Sequence, residues 1–243
     1  MPENMPPEII LPETLIIGHS VEQKPIEAFF FGENKRDFLT AVSPNQPQIE
    51  TLFFGAIHGD EPQSADLLYR WMTALKNDSF PFDEFPVLII PVLNPDGLAA
   101  KTRVNKNGVD LNRNYPTQNW NGDGSQTLYF QGKQPASEPE TQAMLTLIAH
   151  CKPKKIISLH TPYRVVNYDG PAKALAETYA KHCQYPVEES IGYPTPGSFG
   201  TYFGIERQIP VLTVELPEDE PMDAIWEDNQ EALMAMISAH RTD

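Results

Sequence analysis

Two histidines and a glutamate carry the types and spacing of a catalytic metal site: His58 and Glu61, three apart in FFGAIHGDEP, and His160, which ends the run IISLH. Two imidazoles and one carboxylate are the protein ligands of a catalytic zinc ion whose fourth position stays open for water. Such an ion lowers the pKa of a coordinated water from ~15.7 towards ~7 and polarises a carbonyl, so hydrolysis is the expected chemistry. A base must reach that water. Glu215 closes the apolar run PVLTVEL, where burial would raise a carboxylate's pKa towards a useful value. Read alone, it is more simply an ordinary strand-end glutamate facing solvent, and an isolated HxxE pair is common.

The stretch RVNKNGVDLNRNYP, residues 103–116, adds polar groups of complementary kinds. Asn112 and Arg113 set an amide beside a guanidinium, whose planar fork matches a carboxylate. Arg103 is a second cation, suited to a developing oxyanion. Asp110 is a carboxylate that can accept the spare N–H of a metal-bound imidazole. The bland alternative is a solvated loop with two surface arginines.

These residues need elements to hold them. Strands are expected at 51–57 and 155–159, each running directly into one of the histidines, with further strands at PVLIIPVLNP and 210–216. Pro62 suits the first position of a helix whose apolar face is Leu67, Leu68, Trp71, Met72 and Leu75. Other helices are expected at 138–150, near 171–183 and at about 222–240, and an edge hairpin at 27–42 built from EAFFFG and DFLTAV. Residues 98–136 show little periodicity, and a loop that long in a compact domain is usually functional. Alternating strands and helices with continuous apolar strands imply an α/β fold: three layers, α/β/α, around a mixed, mostly parallel sheet. Ligands at strand ends would then face the crevice where open α/β sheets bind small molecules.

The 24 prolines and 14 glycines are scattered, so no linker divides residues 1–243, and one catalytic domain is expected. A formal charge of −15 argues against a nucleic-acid partner. No run reaches the ~18–20 apolar residues of a membrane span. The N-terminus has no basic region followed by an apolar one, and Cys151 and Cys183 provide no disulfide framework. A cytoplasmic protein with two buried thiols is therefore expected. His19, His150, His182 and His240 read as surface or structural histidines. Oligomeric state is left open.

HGDE, NPDG, GVDLNRNYP, SLH and TVEL, in that order over roughly residues 50–217, resemble the M14 (carboxypeptidase A-like) zinc carboxypeptidase family. The resemblance implies one Zn2+ per chain, held by His58, Glu61 and His160, with Asp110 orienting His58. Arg103 would polarise the scissile carbonyl and hold the oxyanion. Asn112 and Arg113 would bind the substrate carboxylate, and Glu215 would act as base and then acid. The family's mobile tyrosine corresponds to Tyr193 in IGYPTPGSFG with a one-residue offset, or to Tyr202. SVEQKPIEAFFFG, Ser137 to Thr141, TPGSFGTYFG and ELPE further resemble the bacterial murein peptide amidase group. That likeness implies a small peptide substrate, murein tripeptide, cleaved between D-γ-glutamate and meso-diaminopimelate in peptidoglycan recycling. A metallocarboxypeptidase of broader peptide specificity, an aspartoacylase or succinylglutamate desuccinylase-type deacylase, and a zinc-binding module without catalysis are the alternatives.

Overall fold

Four short apolar runs lie side by side as the parallel centre of the sheet: β3 (Thr51–Phe54), β4 (Val87–Ile90), β5 (Lys155–His160) and β8 (Val211–Glu215). The computed structural model describes residues 13–32, 49–75, 82, 84–122, 127–189 and 192–239. Four more strands complete it: β1 (Glu13–His19), β2 (Pro25–Phe31), β6 (Val165–Asp169) and β7 (Val187–Glu188). The order across the eight strands is β1-β2-β4-β3-β5-β8-β6-β7. β1, β2 and β6 run antiparallel to neighbours, so the sheet is mixed and the fold α/β.

Alternation along the strands sends side chains to two cores. Phe53, Ile157, Leu159, Leu212 and Val214 pack on one side, under α1 (Pro62–Leu75), α4 (Lys173–Cys183) and α5 (Met222–Ser238). Leu52, Phe54, Ile156 and Val211 pack on the other, with Met144 and Leu147 of α3 (Pro139–Cys151) and with Phe199 and Phe203. At the far end of β5, Lys155 is buried against Glu50, its Nζ 3.1 Å from Oε1. A charge there is tolerated only because it is paired.

Several details differ from the sequence expectation. β2 pairs back onto β1 rather than forward, and the DFLTAV half of the expected hairpin lies outside the described residues. The strand at 51–57 ends at Phe54, because Gly55, Ala56 and Ile57 turn towards α1. The long loop contains a short helix α2 (Pro95–Ala100) and a 3-10 turn at Leu111–Arg113. β6 was not anticipated: VVNYD breaks the apolar pattern, since alternate residues Asn167 and Asp169 face a cavity.

The turn that carries His58 is held by backbone contacts. Asn94 caps α2 by accepting from Gly97 N at 2.9 Å, while its Nδ2 donates to Ile57 O at 3.3 Å. Leu93 N and Asn94 N donate to Gly55 O and Ala56 O. A Cβ placed on Gly59 would lie 1.9 Å from the Gly97 carbonyl carbon, so the HGDE and NPDG segments touch through bare backbone. Gly59→Ala is expected to destabilise the protein by about 1–3 kcal/mol or more and to displace His58. Thermal unfolding and metal content measured together check this; an unchanged melting temperature would contradict the close approach.

Candidate active site

The C-terminal ends of β3, β5 and β8 open into a cleft of about 280 Å³. His160 and Glu215 are the last residues of β5 and β8 and are register partners. His58 follows β3 by a short turn, and Glu61 immediately precedes α1. Ser64 staples that turn, donating to Glu61 O at 2.7 Å and accepting from Ala56 N at 2.9 Å. One ligand atom from each of His58, Glu61 and His160 lies within 4.8 Å of the others, and all three residues are buried.

Both imidazoles turn Nδ1 towards the Glu61 carboxylate: His58 Nδ1 is 2.7 Å from Oε1 and His160 Nδ1 3.0 Å from Oε2. The second approach lacks hydrogen-bond alignment, and Oε2 is buried without a donor. Buried polar atoms are almost always satisfied. A buried carboxylate with one oxygen left without a donor, grouped with two imidazole nitrogens, is therefore a donor set that fits a divalent cation, with zinc the natural match to two nitrogens and an oxygen.

Asp110 organises the far side of His58. It is fully buried and accepts from His58 Nε2 at 3.1 Å, Arg103 Nε at 3.0 Å and Asn112 N at 2.9 Å. An N–H on Nε2 leaves Nδ1 as the nitrogen free to ligate. Burial works against charge on His58, yet Glu61 and Asp110 outweigh it and raise its pKa to about 9. Burial also opposes charge on Glu61 and Asp110, but the imidazoles, and for Asp110 the arginines, hold both well below the usual carboxylate range. His160 is lowered, chiefly by burial.

Glu215 is only 6% exposed, which rules out the solvent-facing alternative. Burial, reinforced by the charge of Glu61, pushes its pKa up to about 8, and its Oε2 has no hydrogen-bond partner. Arg103 lies 3.7 Å from Glu61 and over the ring of Tyr129. Arg113 is 4% exposed; its guanidinium donates to Asn112 O at 2.6 Å, and no carboxylate of the described residues pairs with it. Asn112 Oδ1 accepts from Phe199 N at 2.9 Å, which fixes the amide at the cleft wall. Tyr193, 42% exposed, stands at the mouth beside Tyr163.

Tyr202 is not brought to the cleft. The π-helical turn Gly200–Ile205 aims Thr201 and Ile205 inwards and rotates Tyr202 into an aromatic cluster with Tyr115 and Phe203, with Arg207 against its outer face. Asp60, His19, His150 and His182 are exposed, and His240 lies outside the described residues.

The family model described as zinc carboxypeptidase (peptidase M14) matches residues 8–220. The chain belongs to that family. It is accordingly a hydrolase acting on peptide-type bonds. Murein peptide amidase A of Vibrio campbellii is 35% identical over 198 residues, 76% of this chain and 76% of that protein. The protein of the same description from Escherichia coli K12 is 34% identical, over 68% of this chain and 70% of its own. The crystal structure of murein-tripeptide amidase MpaA from Escherichia coli O157 superposes with a TM-score of 0.73 at 28% identity, covering 96% of this chain and 94% of that one. Carboxypeptidase A from Helicoverpa armigera shares the fold, with a TM-score of 0.73 at 16% identity over 96% of this chain and 70% of that one.

The zinc carboxypeptidase cleft also contains residues the sequence did not single out: Tyr129, Tyr163, Ser158, Thr213, Asn167 and Asp169. Ser158 and Thr213 had a usable signal, since each lies two residues before His160 or Glu215 and hence on the same strand face. The site groups make a signed prediction for metal-free protein. Glu215 and His58 both have folded pKa values raised above their unfolded ones. Each therefore stabilises the fold in its protonated form, and that stability is lost as pH rises through the folded value. In chelator, the lowered pKa of His160 works the other way below about pH 6.5, so the melting temperature is expected to fall chiefly between about pH 6.5 and pH 9. Glu215→Gln should flatten the lower part of that fall, up to about pH 8, and a wild-type curve flat across this range would contradict the assignment.

Proposed function

We propose that this zinc carboxypeptidase is a murein tripeptide amidase, hydrolysing the amide between D-γ-glutamate and meso-diaminopimelate in a reducing, intracellular compartment. The observation that carries the reading is the buried, unpaired guanidinium of Arg113 beside the cluster of His58, Glu61, His160 and Glu215. A buried cation without a counterion is costly, and a substrate carboxylate next to the scissile amide supplies the partner. Similarity to two murein peptide amidases over at least 68% of this chain supports the substrate, and the buried free thiols Cys151 and Cys183 fit the compartment.

His58, Glu61 and His160 would hold zinc, which supplies Lewis acidity that polarises the carbonyl and makes water more acidic. The substrate carboxylate docks on Arg113, and the fixed amide of Asn112 adds a donor. This orients the scissile carbonyl towards Arg103, whose guanidinium meets the developing oxyanion, an effect worth about 3 kcal/mol for a comparable donor. Glu215, with its pKa near 8, takes a proton from the attacking water and passes it to the departing amine. Asp110 keeps His58 and Arg103 oriented through the whole sequence. Tyr193 is proposed to close over the bound peptide from the mouth.

Incubation of L-Ala-γ-D-Glu-meso-diaminopimelate with metal-loaded protein, followed by mass spectrometry, tests the reading. Free diaminopimelate is expected, and none in chelator. Release of C-terminal residues from ordinary peptides instead, with the tripeptide intact, would establish a carboxypeptidase of broader specificity. Glu215→Gln should lower kcat by about 100-fold to 10,000-fold while one metal per chain is retained by elemental analysis. Arg113→Ala should reduce kcat/KM about 10-fold to 100-fold, mainly through KM; full activity would remove the carboxylate dock from the scheme.

A further inference from the structure

Three exposed tyrosines, Tyr129, Tyr163 and Tyr193, line the cleft. One of them meets both of its arginines. The centroid of the Tyr129 ring lies 5.2 Å from the guanidinium carbon of Arg103 and 5.8 Å from that of Arg113. Both distances fall within the ~6 Å over which a cation is drawn to an aromatic face. One ring therefore serves two cations that leave the chain ten residues apart and that the proposed mechanism gives different tasks, the oxyanion and the substrate carboxylate.

The backbone around Tyr129 is anchored to the neighbours of the same two arginines. Tyr129 N donates to Thr127 Oγ1 at 3.1 Å. Phe130 O accepts from Asp110 N at 2.9 Å, and the Asp110 carboxylate accepts from Arg103 Nε at 3.0 Å. Gln131 O accepts from Asn114 Nδ2 at 2.7 Å, and Asn114 directly follows Arg113. Each arginine is thus joined to the ring by a closed circuit, one through Asp110 and Phe130, the other through Asn114 and Gln131. Burial does not account for this placement, because Tyr129 is 51% exposed.

The charges explain why a ring stands there and not an acid. Arg103 is paired with Asp110 and approaches Glu61 at 3.7 Å, whereas no carboxylate of the described residues pairs with Arg113. A carboxylate at position 129 would compete with the substrate for that guanidinium. An aromatic face attracts a cation through its quadrupole and carries no formal charge. It can hold both arginines in place and leave the site net cationic towards an incoming anion.

We propose that Tyr129 is a positioning residue for Arg103 and Arg113 together, its ring keeping one guanidinium ready for the oxyanion and the other for the substrate carboxylate. The inference rests on the roles given to those arginines under the proposed function and adds that the two share one support.

The test measures kcat and KM separately for Tyr129→Leu and Tyr129→Phe, on the murein tripeptide and on an ordinary C-terminal peptide. Leucine keeps apolar bulk and removes the quadrupole, while phenylalanine keeps the ring and loses only the hydroxyl. The backbone anchors remain in both variants, so melting temperatures should match wild type. Tyr129→Leu is expected to raise KM about 3-fold to 10-fold and to lower kcat by a similar factor, whereas Tyr129→Phe restores both. A readout free of activity comes from the arginine Nε–H resonances, assigned with Arg103→Lys and Arg113→Lys. Both should carry a ring-current shift that Tyr129→Phe keeps and Tyr129→Leu loses. Wild-type kinetics in Tyr129→Leu, a change confined to KM, equal damage in Tyr129→Phe, or arginine resonances without the shift each overturn the proposal. If Arg113→Ala raises KM and Tyr129→Leu does not, the shared support falls and the carboxylate dock stands. If neither raises KM, the dock falls and the inference with it. Cleavage of the ordinary peptide alone would remove the murein reading and leave Tyr129 to be judged on that substrate.

Discussion

A carboxylate as deeply buried as Asp110 costs several kcal/mol unless donors replace the water it has lost. Here three do: the imidazole of His58, the guanidinium of Arg103 and the backbone N–H of Asn112. The dependence runs both ways. Asp110 is held from behind by its own N–H, which donates to Phe130 O, so residues 127–131 support the loop that supports the site. His58 owes its orientation to this contact, and so does the turn at Leu111–Arg113, which Asp110 caps. Removal of this one carboxyl would release an imidazole, a guanidinium and a helical turn together. Their effects would not add as independent sites do.

The sheet supplies what the loops cannot. Parallel strands ending at one edge bring His160 and Glu215 into register, while β3 delivers the chain to the His58 turn at the same edge. The loop residues then need only reach a frame that is already rigid. This explains a long segment with few regular elements that nonetheless has buried polar anchors. Asn114, for example, donates to Gln131 O and accepts from Glu138 N, tying the loop to the start of α3.

Much of this was legible in the sequence. Apolar runs of strand length ending in His160 and Glu215 declared both the elements and the edge where they meet. Periodicity found α1 because its buried residues repeat with the helical turn. Tyr202 was misplaced because its position on an irregular π-helical turn is set by which residues the glycines allow inwards, a property invisible to spacing. β6 was missed because it obeys a functional constraint rather than a packing one. Its alternate residues face a polar cleft, so the strand does not read as apolar. Sequence rules fail where a chain departs from the pattern of a well-packed core, and functional clefts are where such departures collect.

The charge layout of the cleft is itself informative. The protein is acidic, with a formal charge of −15, so the long-range field repels an anionic peptide. Screening limits that field to about 8 Å at physiological ionic strength. Recognition therefore falls to short-range, desolvated contacts, where Arg103 and Arg113 line the cleft beside His58, Glu61 and His160. A ligand with a carboxylate next to its scissile bond matches that pair of cations. Burial strengthens this selectivity, because in a cleft with little water each unpaired charge, on the protein or on the wrong ligand, retains its full desolvation cost.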